Sequence, residues 1–497
     1  MNKESNRRIG GRGHGWKRAA LLPALLGAAA ATCFGSAFSV AEMGARAAGM
    51  GTAFIAVADD GSALFYNPAG IAFQPGKHLE MDNAVVVGLF RFTPSSTPVG
   101  QVVPENGYSQ SIKPKFIPLA SLYATMQLSE KLTFGFGMFT PFGLSANSTN
   151  FNDSDPNLTK FVGRFSGTRA RLEEYWFQPT LAYKINKNTA IAVGPAFVHT
   201  HLFLEQSILN PKGDALDFGR TAANTVFPGV PKEQAAVVIS RLLPEGRSRI
   251  AGTANTFGLA LGFMYKNPGA KTNVGIMYRS HVKNNLSGKA SFAFGTGYAL
   301  EQYIGSSFLP NAFPNQAVTG EFTTPATYGI GISNSSINKM RFAFDFRLQD
   351  YNRFSSVPLN FGINEDNTKD VALPAVKTLI FDFKNSYHFA FGAERTLTEK
   401  MTVRLGYLRD LSPVPDKSVG PLFPDASRHS FTVGATRRVG TKDFSFFYEA
   451  MRFDRRNTDV AANANLYTNG LYKNFAHVAG LGLRFDMPNM PSLKKKR

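Results

Sequence analysis

The sequence predicts an all-β protein: a fourteen-stranded antiparallel transmembrane β-barrel, plugged by an N-terminal hatch. Three observations carry this expectation. Apolar residues recur with period two in runs of about ten, the length a tilted strand needs to cross a bilayer. The connections between runs alternate between short and long. A leader and a compact, apolar, Gly/Ala-rich stretch precede the first run. The 497 residues hold no stretch of 18 uncharged apolar residues past the N-terminus, which excludes a bundle of membrane helices. A single Cys excludes an intrachain disulfide framework.

Residues 1–37 read as a signal peptide. Arg7, Arg8, Arg12, Lys17 and Arg18 form its basic region, Ala19 to Phe34 its short apolar run, and Gly35-Ser36-Ala37 the small residues that signal peptidase accepts. Ala30 stands where a lipoprotein signal has Leu, and Ile9-Gly10-Gly11 lacks the apolar continuation of a twin-arginine signal, so general secretion is expected. Cys33 lies in this segment, so the mature chain is expected to be free of cysteine. Six of the basic side chains leave with it, and the remainder stays basic.

Residues 38–77 form the expected hatch. The stretch is rich in Gly and Ala yet carries Phe54, Ile55, Phe65, Tyr66, Ile71 and Phe73. A periplasmic linker, the alternative, would be polar. Small residues among apolar ones suit a plug packed in a lumen, with Gly allowing close backbone approach. Asn67-Pro68 opens a turn.

The barrel is expected over 78–486, its strands beginning near 78, 116, 132, 165, 189, 252, 271, 322, 339, 379, 401, 428, 443 and 474. Met340, Phe342, Phe344, Phe346 and Leu348 alternate with Arg341, Ala343, Asp345, Arg347 and Gln349, giving one apolar and one charged face. Phe257, Leu259, Leu261, Phe263 and Tyr265 do the same against Gly258, Ala260, Gly262 and Met264. A soluble sandwich also alternates, but its strands run about 5 to 6 residues. Short polar turns such as 129–131, 185–188 and 335–338 take turns with long connections such as 207–251 and 293–321, the pattern of periplasmic turns and extracellular loops. An even count closes the barrel and leaves no strand edge unpaired in lipid. The last strand ends at Phe485 with Leu483 before it, resembling the signal read by the outer-membrane assembly machinery. The basic tail 487–497 reads as a solvated periplasmic extension, with no nucleic-acid partner expected.

Several motifs in order carry a resemblance: Asp59-Asp60-Gly61, Asn67-Pro68-Ala69, Pro141-Phe142-Gly143-Leu144, Phe161-Val162-Gly163-Arg164-Phe165, Tyr278-Arg279-Ser280, Ser412-Pro413-Val414-Pro415 and Pro424-Asp425. Across the mature chain the sequence resembles the FadL/TodX-type family of outer-membrane transporters for long-chain fatty acids and other hydrophobic compounds. The resemblance implies a passive monomeric channel, gated by a hatch at Asn67, Pro68, Ala69 and Gly70, whose cargo leaves sideways beside a kinked early strand. It also implies basic lumen residues near the ends of strands five and nine, where this chain has His199, His201, Arg347 and Arg353. Arg347 has a simpler alternative, pairing with Asp345. Neutral histidines would suit a hydrocarbon equally well.

Two long loops are apolar enough to mark an interaction surface. Val238 and Leu242 fall in a short helix after Pro231, and Tyr298, Leu300, Tyr303, Phe308 and Phe313 stud the next loop; these seven are the expected capture groove, and the alternative is that they pack on each other as a lid. A fatty acyl chain in such a groove gains roughly 0.8 kcal/mol per CH₂ removed from water. The expected function is uptake of hydrophobic compounds, foremost long-chain fatty acids, with aromatic or aliphatic hydrocarbons as the alternative cargo and a nonspecific porin disfavoured by the apolar plug. No G-x-S-x-G, H-E-x-x-H, metal or nucleotide motif occurs outside the leader, so no enzyme, metal or cofactor is expected. The outer membrane, its lipopolysaccharide and the assembly machinery are the expected partners.

Overall fold

The computed structural model describes residues 37–94, 110–112, 116–147, 162–209, 214–362, 376–420, 423–458 and 468–487. Residues 1–36, nearly all of the expected leader, and the expected basic tail past residue 487 lie outside these. Fourteen antiparallel spans close into one barrel. In chain order they are β1 Lys77–Pro94, β2 Phe116–Gln127, β3 Leu132–Asn147, β4 Arg169–Lys184, β5 Thr189–Ile208 and β6 Gly246–Asn267. Next come β7 (Thr272–Arg279 and Val282–Phe294), β8 (Gln316–Thr324 and Thr327–Asn334), β9 (Met340–Gln349 and Ser356–Phe361) and β10 (Val376–Ile380 and Ser386–Thr398). The last four are β11 Met401–Asp410, β12 Arg428–Val439, β13 Lys442–Phe453 and β14 Gly470–Met487. β1 pairs with β14 from Lys77↔Met487 to Pro94↔Gly470, so the sheet has no free edge at its closure.

The period-two pattern maps onto the wall. Phe257, Leu405 and Leu481 are 77%, 63% and 65% exposed on the outside, while Gly258, Arg404 and Gly482 beside them face in. Tight turns join β3's start to β2, β5 to β4, β7 to β6, β9 to β8, β11 to β10 and β13 to β12. Gly440 takes φ +60 in the last of these, a backbone angle that a side chain disfavours. The strand expected from 165 begins at Arg169 instead. Val162–Phe165 is a 3-10 turn there, held by the buried Arg164 guanidinium on Glu245 at 2.8 Å.

Ladders lapse where proline stands inside a strand, because proline has no N–H to give. Between β4 and β5 the pairing stops at Phe177↔Phe197 and resumes at Leu181↔Val193, around Pro179 and Pro195. A row of breaks also crosses β7 to β10 at one height: Ser280-His281, Pro325-Ala326, the 3-10 turn Tyr351–Arg353 and residues 381–385. At that height the wall turns aromatic side chains inward.

Residues 37–76 fill the barrel. They form two short helices, α1 Ala45–Ala48 and α2 Ala63–Tyr66, and the 3-10 helix Pro68–Phe73. Nearly every residue of the segment is buried. The wall makes room with glycines: a Cβ on Gly406 would stand 2.0 Å from the Gly51 nitrogen, and one on Gly275 2.3 Å from the Ile55 carbonyl oxygen. Backbone lies directly on backbone at these points. Above the barrel, α3 Asp214–Val226, α4 Lys232–Leu242, α5 Glu301–Ile304 and α6 Phe308–Ala312 form a cap.

Candidate functional site

A segment buried in a barrel must satisfy its own backbone polar groups, and the wall supplies the partners. Asp345 accepts from the Phe54 and Ile55 N–H groups at 2.6 and 2.8 Å. Asp82 accepts from Ala45, Glu80 from Gly61, and Gln178 donates to the Leu64 carbonyl. Ion pairs add to this: Arg46 lies between Asp59 and Glu394, and Arg428 between Glu42 and Asp410. Burial alone would raise the Asp59 carboxyl, but Arg46 and Arg341 outweigh it and hold it well below the usual range. Its neighbour Asp60 goes the other way, raised chiefly by burial.

Asn67 is a tie point of this packing. Its side-chain oxygen accepts from Ala69 N–H at 3.2 Å, and its amide nitrogen donates to the carbonyls of Ile55 and Phe263 at 3.0 and 2.9 Å. One side chain therefore ties the 3-10 turn to the rest of the segment and to β6. Gly262 and Gly275 leave the space it occupies. Pro68 and Ala69 are buried beside it, and a Cβ on Gly70 would lie 2.2 Å from the Ala58 carbonyl oxygen.

Among the described residues, the plug covers a seam between two neighbouring strands of the wall. β2 and β3 pair only from Leu122↔Met138 to Gln127↔Thr133. Above that, β2 bonds β1, and β3 bonds β4 across a bulge between Phe139 and Phe142, so the two neighbours part company. The freed edge of β3 is taken by the N-terminal segment: Val40 N–H donates to the Pro141 carbonyl at 2.9 Å, and Gly143 N–H to the Phe38 carbonyl at 2.7 Å. Phe38 itself is fully buried in a cage of rings, with Phe354, Tyr351 and Phe142 centroids at 5.0, 5.1 and 5.8 Å.

A small cavity opens against this seam, between Val40, Pro141, Phe142 and two buried arginines, Arg279 and Arg347. Arg279 donates to the Phe65 carbonyl at 2.7 Å and lies 4.3 Å from the Phe65 ring and 5.4 Å from those of Phe139 and Trp176. Arg347 bonds the Thr52 hydroxyl and faces the Tyr66 ring. Neither has an acid within ion-pair distance among the described residues, and the Nε of each has no hydrogen-bond partner there. Arg347 does not pair with Asp345, which is spent on the plug backbone.

The other expected lumen residues stand elsewhere. His199 and His201 are corrected: they share a face with Phe197, which packs on the exposed Phe257, so they lie on the outside of β5 while Val198 and Thr200 face in. His199 bonds Asn255 at 2.7 Å on that same face. Arg353 is half-exposed and paired with Asp350 at 2.6 Å, away from the cavity. Arg279, which sequence reasoning quoted only within a motif, is the lumen cation it missed.

In the cap, the seven expected groove residues divide. Leu300 and Phe313 are buried in a small core with Leu309, Ile239 and Leu243, and Leu242, Tyr298 and Phe308 pack against it. Val238 and Tyr303 are exposed, at 45% and 63%, and Phe227 stacks beside Tyr303. A lid-like core with an apolar rim is the arrangement, rather than one groove lined by all seven.

Comparison with known proteins gives a consistent picture. The family model described as outer membrane protein transport protein (OMPP1/FadL/TodX) matches residues 26–486. The outer membrane protein NMB0088 of Neisseria meningitidis serogroup B is 23% identical over 464 residues, 91% of this chain and 95% of that one. Among solved structures, a Pseudomonas aeruginosa FadL homologue aligns with a TM-score of 0.68 at 16% identity, over 90% of this chain and 99% of its own. The Pseudomonas putida toluene transporter TodX aligns with a TM-score of 0.62 at 15% identity, over 92% and 99%.

Proposed function

The chain belongs to the OMPP1/FadL/TodX family of outer membrane transport proteins, and from that premise we propose that its cargo is a long-chain fatty acid. It is an outer-membrane channel for hydrophobic small molecules and not an enzyme. The observation that carries the choice of cargo is the cavity between Arg279 and Arg347. Two buried guanidinium groups without a carboxylate partner favour an incoming one, since a desolvated cation is costly until it is paired. A carboxylate headgroup there places the start of its chain beside Phe65, Phe142 and Met277, which line the same cavity.

The route follows from the same contacts. The apolar rim of the cap, with Val238 and Tyr303, takes up the molecule. The segment from Asn67 to Gly70 acts as the gate of the hatch, and Phe38 to Val40 as its latch on β3. Releasing that latch frees the β3 edge and opens the seam to the membrane, so cargo leaves sideways. A monoaromatic hydrocarbon is the second reading. The ring cage around Phe38 favours it, as does the likeness in fold to a toluene transporter.

The test is uptake of labelled oleate and of toluene by a transporter-deleted host, with heat-modifiable gel mobility confirming equal folded barrel. Oleate is expected to enter several-fold faster than in empty-vector cells. Arg279→Met is expected to cut that rate about tenfold, the loss of one charge-assisted hydrogen bond. Toluene entering readily and ignoring Arg279→Met, with oleate at background, would establish the second reading instead.

A further inference from the structure

The outer surface of the barrel carries a row of cations at its extracellular rim. On β14 and β1, Lys473 stands directly opposite Arg91. One outward position below Lys473 is Phe475, which is opposite Arg452 of β13. Arg452 is opposite His429 of β12, and His429 is opposite Arg409 of β11. Arg91, Arg452, Arg455 and Lys473 are all exposed. A shallow concavity joins Arg452, Arg455 and Lys473 to the apolar Leu89 and Phe475.

Like charges directly opposite on a sheet face destabilise each other, with Cβ atoms only about 5 Å apart. The acid beside this row, among the described residues, is Asp454, engaged by Arg409 at 2.8 Å and near His429. Among the described residues Arg91, Arg452, Arg455 and Lys473 have no acidic partner within ion-pair distance. Nothing among the described residues, then, answers the repulsion, and an anion placed on this face would.

Height decides which anion. Phe485 and Phe475 lie ten residues apart on one face of β14, roughly 34 Å along the strand and, at a tilt of about 40°, about 26 Å along the membrane normal. That is the height of the apolar band of an outer-membrane barrel, about 25 Å. Between them the outside of β13 and β14 carries Phe444, Phe446 and Leu481, interrupted by His477, whose ring bonds the Tyr448 hydroxyl at 2.6 Å. Arg91 and Lys473 sit just above the band, where the outer leaflet has its headgroups, Arg452 stands at its upper edge opposite Phe475, and Leu89 and Phe475 face the acyl chains.

We propose that Arg91, Arg452 and Lys473, with Arg455, form a docking site for a phosphorylated glycolipid of the outer leaflet, its phosphates bridging the opposed cations and its chains lying on Leu89 and Phe475. The site is on the outside of the wall opposite in sense to the cargo path. It adds a fixed lipid to a protein whose transport route runs through the interior.

The test uses the folded full chain in detergent, with bisphosphorylated lipid A, the same lipid stripped of its phosphates, and inorganic phosphate as probes. The wild type is expected to bind bisphosphorylated lipid A at least about tenfold tighter than the stripped form, as charge-assisted contacts require. The combined Arg91→Gln, Arg452→Gln, Lys473→Gln variant is expected to lose that preference, and Arg91→Lys, Arg452→Lys, Lys473→Arg to keep it. Without lipid, the Gln variant is expected to melt no lower than wild type, because it relieves repulsion; with lipid A the wild type and the charge-conserving variant should rise and the Gln variant should not. Equal binding of lipid A by the Gln variant, indifference to the phosphates, or displacement by inorganic phosphate at equal concentration would each overturn the site.

Discussion

Asp425 shows how much one side chain decides here. It accepts from the Ser412 hydroxyl at 2.6 Å and from the Ala37 N–H at 3.2 Å, joining an extracellular loop to the first described residue of the plug. Burial pushes its carboxyl up to about 6, against the pull of those two donors. A raised folded-state value means the folded protein holds the proton more firmly, so the stabilising share is full below about 4 and is lost as pH rises through about 6. Wild type is therefore expected to gain about 2 kcal/mol over Asp425→Asn on going from pH 7 to pH 4.5. Melting of both proteins in detergent at the two pH values checks this, and an unchanged gap between them would show that Asp425 does not titrate in that window. Residue type alone did not reveal which side chains face the lumen; parity did. Ile191, Val193 and Phe197 are exposed, so His199 and His201, on the same odd count, point outward too. On β7 the same rule sends Ile276 out and Met277 and Arg279 in. Counting from the apolar positions would have exchanged the histidines for Arg279.

Among the elements, the seam between β2 and β3 and the latch over it have the clearest consequence. Ser39 forms an antiparallel bridge with Phe142, so their Cβ atoms lie about 5 Å apart, within reach of a disulfide after slight adjustment. With Cys33 in the leader, the background is expected to be free of thiols. Ser39→Cys with Phe142→Cys is expected to abolish oleate uptake under oxidising conditions and to restore it when a reductant is added. Uptake that continues with the bond formed would show that the latch does not open during transport. The strands themselves were legible because alternation is local, and their starts fall within four residues of expectation except at 252 and 322, with 165 and 474 displaced by the full four. At these four places the strand begins at 169, 246, 316 and 470, since upper extensions lengthen β6, β8 and β14 and a 3-10 turn held by Arg164 replaces the first residues of β4. The helix after Pro231 was also legible from its apolar spacing, whereas α3 before it was not anticipated.

At the scale of the whole molecule, plug and wall are one close-packed object. Gly406 receives the Gly51 backbone, and Gly51 N–H donates to the Thr432 hydroxyl at 2.9 Å. Gly406→Val is expected to leave strand pairing intact but keep the plug from seating, because a side chain would overlap backbone that cannot yield. The readout is entry of a large hydrophilic antibiotic: cells expressing Gly406→Val are expected to become sensitive at equal folded-barrel levels, and unchanged resistance would count against a seated plug. What the sequence by itself determined was the class of object: a barrel in the outer membrane, its strand count and an apolar stopper before it. Period, turn length and leader are all local, so they survive in a one-dimensional string. Only the tertiary structure decided what the stopper touches: that Asp345 serves its backbone rather than Arg347, that Phe38 to Val40 cover the β3 edge, and that Arg279 and Arg347 meet at one cavity. Those contacts join residues that lie tens to hundreds of positions apart. No spacing rule links such positions, because closing the barrel, and not the order of the chain, brings them together.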